Sequence, residues 1–157
     1  MRTFEKVKGA PIFHGQKRRL LGKIVDLAYN ESTGHISGYL IQRRNWWAKN
    51  IFLPLSATFT RSQSSFILCE SQQLLPMEDS DKRVFHGTDR LTGRAVYNEE
   101  GDIIGIVEDV YFLPDSGRIL GYELTEGLFE DIQHGFFVKK TGDMTVTKHG
   151  QELLLHN

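Results

Sequence analysis

The sequence predicts an all-β protein made of two small β-barrels in tandem, related by internal duplication. Three observations carry that prediction. The chain reads twice: residues 22–39, moved along by 83 positions, fall on residues 105–122, and Gly22/Gly105, Asp26/Asp109, Gly34/Gly117, Ile36/Ile119, Gly38/Gly121 and Tyr39/Tyr122 are identical. Ile24/Val107, Leu27/Val110, Tyr29/Phe112 and Thr33/Ser116 keep their character, where chance supplies about one identity in a window of this length. Short runs rich in β-branched and aromatic residues, bounded by turn residues, recur through both halves. Finally, no long stretch holds a helical period.

In chain order, the strand signals of the first half are 22–29, 36–41, 51–55 and 65–68, and those of the second are 95–97, 103–112, 119–124, 136–139, 144–147 and 152–155. Asn30-Glu31-Ser32-Thr33-Gly34 and Leu113-Pro114-Asp115-Ser116-Gly117 read as matching hairpin turns, with Gly117 in the left-handed position that closes its hairpin. Gly22, Gly38, Gly105 and Gly121 are expected at turns or bulges, and Gly101, Gly142 and Gly150 mark further hairpins. One short helix is expected at Leu128-Phe129-Glu130-Asp131-Ile132. Within the repeated strand, Ile24 and Leu27 are three apart and Leu27 and Tyr29 two apart, so one face can collect all of them only across an inserted residue. This predicts β-bulges at Val25-Asp26 and Glu108-Asp109, of the kind that bends a strand for barrel closure. Asp26 and Asp109 then have a structural task, accepting hydrogen bonds from backbone N–H groups the bulge frees. Pro76 and the polar run Met77-Glu78-Asp79-Ser80-Asp81-Lys82-Arg83 interrupt both patterns and divide the chain into units 1–76 and 84–157 with a linker at 77–83. Units of about 75 residues are near the lower limit for an independent core, so the halves are expected to lean on each other or on a second copy.

The composition is that of a globular chain, 39% hydrophobic. No apolar run approaches the roughly 18 residues that span a bilayer, and Met1-Arg2-Thr3-Phe4-Glu5-Lys6 opens without the apolar core of a secretory signal. The single cysteine, Cys69, excludes an internal disulfide and fits a reducing, cytoplasmic setting; its strand-like surroundings make it a small buried hydrophobe. The net charge of −1 conceals a division: residues 1–76 hold 11 cations and 4 anions, and the remainder 8 and 16. A basic half tied to an acidic half can attract its partner half, a second copy head to tail, or a polyanion.

Each half resembles the PRC-barrel domain, the module of the photosynthetic reaction centre H subunit and of the C-terminal domain of the ribosome-maturation factor RimM. The resemblance rests on Leu21-Gly22-Lys23-Ile24-Val25-Asp26-Leu27, Thr33-Gly34, Gly38-Tyr39-Leu40 and Phe52-Leu53-Pro54-Leu55 in the first half. In the second it rests on Ile104-Gly105-Ile106-Val107-Glu108-Asp109-Val110, Ser116-Gly117 and Gly121-Tyr122-Glu123, while Phe136-Phe137-Val138 departs from the Leu-Pro step. The whole chain is similar to two-domain PRC-barrel proteins of Bacillus-type bacteria. The resemblance implies tandem PRC-type barrels and an adaptor role, and it carries over no catalytic residue.

The best candidate for contact with a partner is Arg43-Arg44-Asn45-Trp46-Trp47-Ala48-Lys49, which joins two predicted strands. Aromatic faces beside Arg and Lys suit a protein hot spot, stacked bases and phosphates, or the headgroup layer of a membrane. The plain alternative is that one Trp folds over a barrel end and the other stays half exposed. Lys17, Arg18 and Arg19 form a second basic cluster on a turn, and with Arg2, Lys6 and Lys8 would make a phosphate-facing patch. The six histidines are scattered without metal-ligand spacing. Glu123, Glu126, Glu130 and Asp131 make an acidic face with neither nucleophile nor electrophile beside them. The expectation is therefore a protein with no enzymatic activity, cofactor or metal, acting as an adaptor for a protein partner. RNA or a ribosomal component bound by the basic half is the alternative, and peripheral contact with anionic membrane the third. Homo-oligomers, with strand exchange between copies, stay open.

Overall fold

In the computed structural model, residues 1–15, 17, 19–45, 49–59, 67–69, 77, 81–125, 136–140, 144–146 and 153–155 are described, with Phe59, Ile67, Leu68 and the last three strands described by their backbone alone. The short helix expected over 128–132 and the turns at Gly142 and Gly150 lie outside them. The first half contains β1 (Arg2–Thr3), α1 (Phe4–Val7), β2 (Pro11–His14), β3 (Arg19–Asn30), β4 (His35–Gln42), β5 (Ile51–Pro54), β6 (Thr58–Phe59) and β7 (Ile67–Cys69). The second contains β8 (Asp81–Arg83), β9 (Ala95–Tyr97), β10 (Ile103–Phe112), β11 (Ile119–Thr125), β12 (Phe136–Lys140), β13 (Met144–Val146) and β14 (Leu153–Leu155). The protein is mostly strand, with the one-turn α1 and the 3-10 turn Leu55–Ala57 as the helical segments among the described residues.

The duplication recurs in the topology. One sheet runs β5-β4-β3-β2-β7-β6 and the other β12-β11-β10-β9-β14-β13. Each has one parallel pair at the same place, β2 with β7 and β9 with β14. In β3 the register shifts between Ile24 and Asp26, and in β10 between Val107 and Asp109. A second shift follows in each, at Ala28/Tyr29 and at Tyr111/Phe112. The long strands therefore bend twice, at corresponding positions.

Bending does not amount to closure. The sheets are open paths among the described residues, so the closed barrels expected from the bulges are not formed. In the first sheet the reason is local. The edge strand β5 ends at Pro54, which has no N–H for a ladder. The 3-10 turn Leu55–Ala57 then leads directly into β6, which is two residues long.

The two halves are interlocked. β1, at the start of the first half, pairs with β10 of the second sheet, and β8, within the expected linker, pairs with β3 of the first. Each leader strand thus lies on the opposite half. The segments that follow meet face to face, with the Phe4 and Phe85 rings stacked at 3.9 Å between centroids and 22° between planes. One continuous apolar core joins Phe4, Val7, Ile24, Leu27, Tyr39 and Leu53 of the first half to Val84, Leu91, Val107, Val110, Phe112 and Leu124 of the second. Shared burial of this kind offsets the shortage of core that each small half would face alone.

The two duplicated aspartates hold the crossing. Asp26 Oδ1 accepts the Leu27 and Phe85 N–H groups at 2.8 and 2.9 Å, and Oδ2 accepts the His86 N–H at 2.9 Å. Asp109 Oδ1 accepts the Phe4 and Val110 N–H groups at 3.0 and 2.7 Å, and Oδ2 accepts the Glu5 N–H at 3.2 Å. Leu27 and Val110 follow directly on the bulges. The remaining donors come from the leader segment of the other half, a partnership the repeat alone does not disclose. The duplicated hairpin turns also touch: the Ile36 N–H donates to the Gly117 carbonyl at 2.7 Å, and His35 bridges to Arg118.

Candidate interaction surface

Antiparallel pairing decides which cations gather. In the first sheet Lys23 stands opposite Gln42, and Ile41 opposite Ile51. The end of β4, the start of β5 and the start of β3 therefore share one end of the sheet. Arg43 and Arg44 follow β4 there and Lys49 precedes β5, while Lys17 and Arg19 lie at the β2–β3 turn and Lys23 on β3. All six are exposed, and among the described residues none is in an ion pair. The structure thus brings two clusters, separate in sequence, to one end of one sheet. Leu20 lies among them at 44% exposure. Trp46, Trp47, Ala48 and Arg18 lie outside the described residues.

The turn has a buried foundation that the sequence reading passed over. His14 is buried at the end of β2, and its Nδ1 accepts the Lys17 N–H at 3.3 Å. Of the wider patch, Arg2 and Lys6 lie against the second half. Arg2 sits opposite Phe112 in the second sheet, Lys6 lines a cleft there, and Lys8 pairs with Glu5 at 3.7 Å. The crossing carries β1 onto the acidic half, whereas Gly9, next to Lys8, donates its N–H to the Ile24 carbonyl of β3.

That cleft lies over Asp109. Its volume is about 570 Å³. Glu108, Asp109 and Tyr111 line it from β10 and Glu123 from β11; Thr3, Glu5 and Lys6 line it from the exchanged leader, and Phe85 and Thr92 complete it. Tyr111 donates its hydroxyl to Glu123 Oε2 at 3.2 Å, which fixes that carboxylate. Burial holds the Asp109 carboxyl above the usual carboxylate range, against the opposing pull of the Val110, Glu5 and Phe4 N–H groups. Of the acidic cluster read from the sequence, only Glu123 is among the described residues. Gly22, Gly38, Gly105 and Gly121 are buried within the long strands. At Gly22 a Cβ would run into the Gln42 carbonyl, and at Gly38 into that of Leu53, so close strand approach requires both glycines. Among the described residues no group of three or more His, Cys, Asp or Glu side chains is placed to hold a metal ion.

The family model for the PRC-barrel domain matches residues 84–148. The second half carries a PRC-barrel domain. The chain as a whole is similar to the uncharacterized protein YrrD of Bacillus subtilis (strain 168), with 28% identity over 99% of this chain and 88% of that protein. The first half repeats the strand order of the half that carries the PRC-barrel match, position for position. No helix among the described residues is long and apolar enough to cross a membrane.

Proposed function

We propose that the protein is a non-enzymatic adaptor whose basic half binds an acidic surface of a partner protein. The observation that carries this reading is the gathering of Lys17, Arg19, Lys23, Arg43, Arg44 and Lys49 at one end of the first sheet, exposed and without ion pairs among the described residues. Clustered unpaired cations repel one another, so an anionic partner gains affinity by relieving that repulsion and speeds its own encounter. Trp46 and Trp47 fall in the same connection and would supply the buried anchors that such contacts need. In this reading the chain is a tandem pair of PRC-type units, 1–76 and 84–157, that exchange β1 and the linker strand β8, and the protein works in the cytoplasm. The identical strand order and the PRC-barrel match support the tandem arrangement.

RNA is the second reading, favoured by the same exposed cations, which are without ion pairs among the described residues, because such a surface can neutralise backbone phosphates. The two separate in one experiment. The tagged full chain and its Arg43→Glu, Arg44→Glu variant are purified at low salt from the native organism, each with and without RNase. A defined protein that survives RNase and is lost from the variant supports the adaptor. Partners that vanish with RNase replace it with the RNA reading, and flotation of the chain with anionic vesicles, if neither appears, would point to a membrane surface.

A further inference from the structure

We propose that the cleft over Asp109 is a docking site for an extended peptide segment bearing a lysine or arginine side chain. The argument starts in the first half, where the corresponding face is already occupied. There Ala28, Leu40 and Phe52 form a small apolar cluster apart from the main core, and Val25 and Met77 pack against it. Met77, which precedes β8 in the chain, thus covers this face.

The repeat translates that face residue by residue. Moved by 83 positions, Val25 becomes Glu108, Ala28 becomes Tyr111 and Leu40 becomes Glu123. These three line the cleft of the second half, and its lining includes no counterpart of Met77. Among the described residues the same fold thus presents one covered face and one open one, and three apolar positions of the covered face, Val25, Ala28 and Leu40, correspond to two carboxylates and a phenol on the other. A thioether fits the first face. The second has the geometry for a chain segment and the chemistry for a cation, with Glu5 on the leader side, Phe85 as an aromatic wall and buried Asp109 beneath. An ammonium or guanidinium group entering here would meet the Glu123 carboxylate held by Tyr111, the Glu108 and Glu5 carboxylates and the Phe85 ring, with Lys6 as an opposing cation; carboxylates and ring faces together bind such groups. This site is separate from the basic end and does not depend on the adaptor reading.

The test uses the full chain, isotopically labelled with nitrogen-15, titrated with the blocked pentapeptide acetyl-Gly-Val-Lys-Val-Gly-amide and with its norleucine counterpart, which has Met-like shape and no charge. Amide shifts are expected to concentrate at Phe85, Tyr111 and Glu123. The lysine peptide should bind about tenfold more tightly than the norleucine one. Glu123→Gln should weaken the lysine peptide about tenfold, and Glu123→Leu, which installs the residue of the first half, should exchange the preference. The Arg43→Glu, Arg44→Glu variant should bind as the unaltered chain does. Shifts scattered over the acidic surface, equal binding of both peptides, unchanged affinity in Glu123→Gln, or no shifts up to about 5 mM would each overturn the proposal.

Discussion

At the residue scale, Asp26 and Asp109 explain why the repeat preserves an aspartate. Each is buried, at 1% and 6% exposure, and each accepts three backbone N–H groups, two of them from the opposite half. Removing such an acceptor orphans donors, at about 1–3 kcal/mol for each group left unpaired, less where water can reach it. Asp26→Ala is therefore expected to destabilise the protein by about 3 kcal/mol, read as a lower urea midpoint. His86→Ala should cost a small fraction of that. Its Nδ1 lies 2.8 Å from Asp26 Oδ2, but the ring is 62% exposed, and solvent screens the pair. If the histidine substitution costs as much as the aspartate one, the side-chain contact rather than the backbone clamp holds the crossing. The duplication made both aspartates visible in the sequence, and the phase slip beside them located the bulges. Their main donors were not visible, since Phe85 and His86 lie 59 and 60 positions from Asp26, beyond any local pattern.

At the element scale, the strands that were legible are the ones that carry their own pattern. β3, β4, β10 and β11 alternate or run apolar over seven residues or more, and their turns hold glycine where the backbone needs it. β1 and β8 are two and three residues long and polar, and exist as strands only because the opposite sheet offers an edge. β2 starts on a proline and ends on a histidine, which dilutes its signal. The hairpin glycines make a quantitative contrast. Gly34 and Gly117 both hold positive φ, 64° and 73°. A Cβ on Gly34 meets open space, whereas one on Gly117 runs into the Ile36 carbonyl of the other hairpin. Gly34→Ala should cost about 1 kcal/mol, the strain of the left-handed backbone alone. Gly117→Ala should cost at least twice as much, because the turn-to-turn contact must also give way. Thermal unfolding of the two variants side by side measures the difference, and equal losses would mean that the contact between the hairpins carries no weight.

At the scale of the whole molecule, the exchanged leaders and the common core predict that the two halves unfold as one cooperative unit, although the duplication and the charge division suggest two. Tyrosines on both sheets report on this. Burial pushes Tyr29 and Tyr39 of the first half and Tyr122 of the second up to about 12. In the unfolded chain each would lose its proton near pH 10. Between those values the folded state holds more protons than the unfolded one, so stability falls as pH rises. Below about pH 10 their contribution is fully present, and it is lost as pH climbs through the folded values near 12. Urea midpoints should thus hold steady to about pH 10 and decline beyond it. Phenolate absorbance followed at the same time should show all three buried tyrosines ionising together with the loss of secondary structure, because releasing any of them opens the core they share. Tyr29 and Tyr39 ionising in one step and Tyr122 in another would mean that each half unfolds alone. The crossing would then be a contact between two finished domains rather than the reason either one is stable.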